Sequence, residues 1–228
     1  MKIPKNTQGV VLTRINYAEA DRILTVLTED FGKVSLIAKG TRKEKSKLAG
    51  GIELFSISDI GFIEGKSDLG TLTTARLNKQ YNSFFNDLAK IEFGYSCLKL
   101  INKYTTTETG QEYFHLIKQL LEALNNPKLS LSAVSVWWAI QLSNVTGHSI
   151  NIEETVEGAA FDENGHYVFE YEMAGFKSTQ DGPILSEHIK YLRLALLKGP
   201  EWLALVKGGD SIAATIAPYL NSFVEYQF

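Results

Sequence analysis

From Gly9 to Tyr81 the apolar residues come in short β-rich runs divided by turn signals, and beyond Tyr81 their spacing changes from about 2 residues to about 3.6. The first part predicts five strands: Gly9 to Ile15, Arg22 to Thr28, Val34 to Ala38, Ile52 to Ile63 with a break around Gly61, and Gly70 to Leu77. Asp30-Phe31-Gly32-Lys33 reads as a tight turn in which Gly32 supplies a permissive backbone, and 64–68 as a polar turn. Five short strands without a helical crossover are expected to pair antiparallel and to close on themselves, because closure removes exposed edges. The fold class this predicts is α+β: a five-stranded OB-type barrel at residues 1–81, with an SH3-like barrel as the competing arrangement, then a mainly helical domain at 82–228.

The helical part predicts five helices with apolar stripes that read as core. Ser83 is the expected N-cap of the first, with Phe84, Leu88, Ile91, Tyr95 and Leu98 on one face. The second runs from Thr109 to Leu124, and the third is capped by Ser130 and ends at Gly147. The fourth covers Leu185 to Leu197 and the fifth Asp210 to Phe223, with Pro218 inside it. Between the third and fourth, residues 147–182 interrupt the series. Asn164-Gly165 there lies between two β-prone runs, which predicts a hairpin with Tyr167, Phe169 and Tyr171 on a shared, core-directed face.

Charge changes this picture at one place. Between Lys33 and Lys47 stand six cations, Lys33, Lys39, Arg42, Lys43, Lys45 and Lys47, against the single acid Glu44. Residues 1–80 carry 13 Lys and Arg against 9 Asp and Glu, net plus 4, and residues 81–228 carry 10 against 17, net minus 7. A basic loop leaving a strand is a phosphate-binding device, since Lys and Arg displace counterions condensed on a nucleic acid. Arg14 and Arg22 on neighbouring strands extend the set, and Phe31 or Tyr17 offers a ring for base stacking. The plainer reading of the run is a loop kept charged for solubility.

The remaining composition narrows the function. At 228 residues, 44% hydrophobic and 21% charged, the chain is of a folding composition. No run reaches the roughly 18 to 20 apolar residues of a membrane span, and the first residues lack a signal-peptide apolar core, which points to the cytoplasm. The single cysteine, Cys97, excludes an internal disulfide and a multi-cysteine zinc site and reads as a buried thiol. Phosphate-loop, dinucleotide, zinc-protease and serine-hydrolase motifs are absent from the sequence. His148 and His166, near Glu153, Glu154 and Asp162, are the residues from which a metal site could be drawn, at a spacing that matches no standard pattern.

Gly9-Val10-Val11-Leu12, Tyr17-Ala18-Glu19-Ala20-Asp21-Arg22-Ile23-Leu24, Thr28-Glu29-Asp30-Phe31-Gly32-Lys33, Ala38-Lys39-Gly40-Thr41-Arg42 and Ser46-Lys47-Leu48-Ala49-Gly50 together resemble the opening of the RecO family of recombination mediators. Leu69-Gly70-Thr71-Leu72-Thr73 is similar to that family's next strand. The resemblance implies an N-terminal OB-fold, binding of single- and double-stranded DNA, annealing of complementary strands and assistance to RecA loading, without enzymatic activity or cofactor. It implies RecR and the C-terminal tail of the single-stranded-DNA-binding protein as partners, and a nucleoid-associated place in the cytoplasm. Arg14, Arg22, Lys33, Lys39, Arg42, Lys43, Lys45 and Lys47 are then the expected DNA-binding residues.

Many members of that family carry a four-cysteine zinc module where this sequence has the cysteine-free stretch 147–182, so zinc is not expected and the hairpin is expected to replace it. Lys190, Arg193 and Lys198 are the candidate cations for an acidic partner tail, and read equally as surface charges. Two other functions compete: a protein-interaction module without DNA binding, and a metal-dependent hydrolase using His148 and His166.

Overall fold

The computed structural model describes residues 3–65 and 68–228, so Lys66 and Ser67 of the expected 64–68 turn lie outside it. The chain divides into two compact units, Met1–Asn125 and Asn126–Phe228. The last barrel strand ends at Gln80, and the compact unit that contains the barrel continues through two further helices.

In the first unit, β1 (Lys5–Tyr17), β2 (Asp21–Thr28), β3 (Lys33–Ala38), β4 (Ser56–Ile63) and β5 (Leu69–Gln80) form a closed barrel in the order β1-β2-β3-β5-β4. All pairings are antiparallel except β3 with β5, which is parallel from Ser35–Leu69 to Ile37–Thr71. The expected all-antiparallel sheet is corrected by arithmetic: strands in a ring of five cannot alternate direction all the way round, so one neighbouring pair must be parallel. The interior is filled by Val11, Leu24, Val26, Leu36, Ile60, Phe62 and Leu72. Ile52 and Leu48 pack against the same core as the chain passes from β3 to β4.

Helices α1 (Leu88–Tyr104) and α2 (Gln111–Asn125) pack on β1 and β2 respectively. The N-cap of α1 is Asp87, whose backbone is extended and whose carboxylate accepts the Lys90 N–H at 3.1 Å, and not Ser83. The Ser83 N–H instead donates to Asn125 Oδ1 at 2.8 Å, and Ser83 to Asn86 form a turn. The buried face of α1 is correspondingly rotated to Gly94, Cys97, Leu98 and Ile101, leaving Leu88 and Tyr95 exposed. Gly94 permits this, since a Cβ there would stand 2.9 Å from the Phe55 ring.

The turn Asp30–Lys33 docks on the α1–α2 connection. The Lys33 N–H donates to the Thr106 carbonyl at 2.8 Å, and Gly32, at φ +59, has backbone oxygens of Thr106 and Thr107 within 2.8 Å of where a Cβ would lie. Only glycine satisfies both conditions.

The second unit contains α3 (Leu131–Val145), a three-stranded sheet ordered β7-β6-β8 from β6 (His166–Glu170), β7 (Gly175–Thr179) and β8 (Ile184–Leu185), then α4 (Ser186–Leu197), a 3₁₀ segment Pro200–Leu205 and α5 (Gly209–Gln227). Ser130 caps α3 as expected, accepting the Ala133 N–H. Most of α3 is buried, including the unbroken run Ala133–Ile140, which matches its apolar residues on every side.

The hairpin is displaced from its expected turn. β6 pairs with β7 through the Tyr171–Ala174 turn, while residues 155–161 form no strand: Ala160 makes a bridge with Glu154, and the Val156 N–H donates to the Phe176 carbonyl at 2.9 Å. Asn164-Gly165 sits in a tight loop instead: the Tyr167 hydroxyl accepts the Asp162 N–H at 2.7 Å and donates to the Asp162 carbonyl at 3.1 Å. Tyr167 and Phe169 are buried as expected, and Phe169 meets Phe176 and Phe223 edge to face at 5.1 and 5.4 Å. An aromatic cluster thus holds the cysteine-free stretch.

Candidate nucleic-acid interface

The basic loop is built, not merely solvated. Where β3 ends, the Gly40 N–H donates to Asp21 Oδ1 at 2.8 Å and the Arg42 N–H to the Ala20 carbonyl at 2.9 Å, tying the loop to the β1–β2 turn. Arg42 Nη1 adds a bond to the Ala18 carbonyl at 3.3 Å. Thr41 is buried, its hydroxyl on the Ala38 carbonyl, and bonds from Lys43 N–H to Gly40 and from Ser46 N–H to Lys43 coil the chain. Leu48 then enters the barrel core. Apolar and polar anchors at both ends leave Lys39, Arg42, Lys43, Lys45 and Lys47 exposed between them.

The strand register sorts the other expected residues. Arg14 near the end of β1 and Arg22 at the start of β2 stand at the same barrel end as the loop. Arg22 Nε donates to Asn16 Oδ1 at 3.2 Å, while Arg14 Nη1 is paired with Glu53 Oε2 at 2.7 Å, so its charge is largely offset. Glu19 and Glu44 are exposed acids of this end.

Lys33 is at the opposite end of β3 and is already engaged. Its Nζ donates to the Asn102 carbonyl at 2.5 Å, placing the cation at the C-terminal turn of α1, where the helix dipole favours it. Burial lowers its pKa. Phe31 packs on the core with its ring 5.7 Å from Phe62, edge to face, and Lys5 Nζ 4.5 Å from its centre, whereas Tyr17 is exposed at the rim.

Next to the loop lies a feature the sequence alone did not disclose. Ile15, Ile23 and Ile37 are direct cross-strand partners on β1, β2 and β3, and they face outward, since Leu24 and Leu36 in the adjacent row point into the core. The cause is a bulge between Val11 and Thr13. Straight alternation from Val11 turns Ile15 inward; the extra residue turns it out.

In the second unit the expected partner cations are spread. Lys190 is exposed on α4, and Lys198 lies 5.5 Å over the half-exposed Trp202 ring. Arg193 holds the loop beneath it, donating from Nε to the Ile152 carbonyl at 2.8 Å and from Nη2 to Glu153 at 3.2 Å, with Phe161 against its guanidinium. His166 Nδ1 is 2.9 Å from the Gly182 carbonyl and His148 packs against Phe228. Among the described residues no three His, Cys, Asp or Glu side chains converge as a metal site would require, and no helix is long and apolar enough to cross a membrane.

Residues 1–81 match the family model described as recombination protein O N terminal. The chain is similar to the DNA repair protein RecO of Trichodesmium erythraeum, 31% identical over 153 residues, covering 67% of this chain and 52% of that protein. It is also similar to the DNA repair proteins RecO of Halalkalibacterium halodurans, 31% identical over 119 residues with 52% and 46% covered, and of Heliobacterium modesticaldum, 34% over 110 residues with 48% and 40% covered. The chain spans about half the length of these curated relatives. With the barrel, the anchored basic loop and the matched residues in agreement, residues 1–81 are an N-terminal domain of the RecO type.

Proposed function

We propose that this chain binds DNA in recombinational repair, neutralising the phosphates of single strands at the loop end of its barrel and so promoting annealing of complementary strands. The observation that carries the reading is the row of exposed cations Lys39, Arg42, Lys43, Lys45 and Lys47 on a loop held by Asp21 and Ala20. Annealing needs two phosphate backbones brought close with their repulsion screened and their bases free to pair; fixed cations on a rigid barrel supply this without a reacting group. The names of the relatives, DNA repair proteins, support the same process.

The reading extends to assistance in RecA loading, with RecR and the tail of the single-stranded-DNA-binding protein as partners. For an acidic tail the free candidates are Lys190 and Lys198, the latter beside the exposed Leu197 and Trp202; Arg193 is engaged within the fold.

The test is the rate at which two complementary oligonucleotides pair at low salt. Wild type is expected to accelerate pairing, and a variant with Arg42, Lys43, Lys45 and Lys47 changed to Ala is expected to lose most of the acceleration. Pairing at the spontaneous rate in the presence of wild type overturns the reading.

A further inference from the structure

The Ile15–Ile23–Ile37 row is apolar surface that opens to water at its Ile15 end, with Ile23 and Ile37 half-buried behind it. Ile15 is 63% exposed, and Tyr17, two residues farther along β1 and at the rim of the same face, is 51% exposed. Lys39 follows Ile37 by two residues, immediately beyond the end of β3. At the other end of this face the outward-directed Val10 and Leu27 are fully buried where α1 and α2 pack on β1 and β2. The fold therefore covers one end of the face and leaves the other open beside its densest group of cations. An exposed apolar patch rimmed by charge marks a binding surface.

We infer that the isoleucine row and the Tyr17 ring are a platform for unpaired bases, on which a single strand rests while the loop cations hold its phosphates. The inference rests on the DNA-binding reading above and adds to it a choice of strand state. The neighbouring cations decide the occupant. A polyanion that also presents flat apolar faces matches both halves of the surface, and an unpaired strand is that ligand, whereas a duplex keeps its base faces stacked inside and offers phosphates alone.

A direction for annealing follows. Before pairing, a strand is held by phosphates and bases; once paired, its bases leave the platform and the product is held by phosphates only. The site binds the substrate of annealing more tightly than its product.

The experiment compares a fluorescent thymidine 15-mer with an abasic 15-mer of equal phosphate count, across a salt series. Wild type is expected to bind the thymidine strand about tenfold more tightly than the abasic one, the scale of one stacked base. Tyr17→Ala is expected to remove that preference while leaving abasic affinity and the salt slope unchanged, and Tyr17→Phe to keep it. Ile15→Ser, also at an exposed position, is expected to lower the preference part of the way. Equal, salt-sensitive binding of both strands by wild type overturns the platform and leaves the phosphate site standing. Failure of wild type to bind either strand at low salt overturns both.

Discussion

The backbone N–H of Gly40 lies 2.8 Å from Asp21 Oδ1, so an acid fixes the start of the most basic segment of the chain. Gly40 is at φ +67, a conformation that costs a side-chain-bearing residue more than glycine, and the bond holds it there. By charge alone, removing Asp21 would strengthen phosphate binding. Through the anchor, removing it frees the loop and weakens binding.

Asp21→Ala is therefore expected to lower affinity for a single-stranded oligonucleotide and to lower stability by about 1 kcal/mol, the scale of one hydrogen bond. Asp21→Asn, which keeps an acceptor, is expected to stay close to wild type. Tighter binding by Asp21→Ala would show that charge and not anchoring governs this position.

Lys33→Ala is expected to separate structure from binding. Its ammonium serves the Asn102 carbonyl, so urea unfolding should show a loss of about 1 to 2 kcal/mol. Oligonucleotide affinity and salt slope should remain those of wild type. A shallower slope at unchanged stability would return Lys33 to the phosphate site.

These two residues mark how far the sequence could be read. The barrel and the loop were legible because their signals are local: β-rich runs, turn glycines and a charge run that no core could hold. The sequence did not disclose that Lys33 is engaged, because its partner is 69 residues away. Nor could alternation place Ile15 outside, because one bulged residue reverses the parity of everything after it. The parallel β3–β5 pair follows from ring closure, a property of five strands together. Asn164-Gly165 carried a genuine turn signal, and a turn formed there; the Tyr167 hydroxyl bound its backbone and left the strand pairing to the Tyr171–Ala174 turn.

That substitution of one turn for another makes Tyr167→Phe informative. The variant leaves the Asp162 N–H and carbonyl without the hydroxyl, at an expected cost of about 1 to 3 kcal/mol. Gly165→Ala is expected to cost at least as much, because its Cβ would overlap the same hydroxyl. Thermal unfolding measures both; wild-type stability in Tyr167→Phe would mean the loop does not depend on that bond.

His188 gives the stability a pH dependence. Its Nδ1 accepts the Leu185 N–H at 2.9 Å, capping α4 with a neutral ring, and burial lowers its pKa against the opposing charge of Glu187. A depressed folded-state pKa means that the neutral form is favoured by folding. The contribution is present above the ordinary histidine value of about 6.5 and is lost as pH falls below it. Denaturant midpoints at pH 7.5 and 5.5 should differ more for wild type than for His188→Asn. Parallel declines would assign the acid sensitivity to other groups.

The measurement closest to the central claim is the salt dependence of single-strand binding by wild type and by the variant with Arg42, Lys43, Lys45 and Lys47 changed to Ala. If the five exposed loop cations each meet a phosphate, wild type should show a logarithmic slope of roughly −3.5, and the variant, left with Lys39, one shallower by roughly 3. Affinity at low salt should fall with it. Equal slopes and affinities for the two proteins, or no binding by wild type at low salt, would contradict the assignment of the loop as the phosphate site.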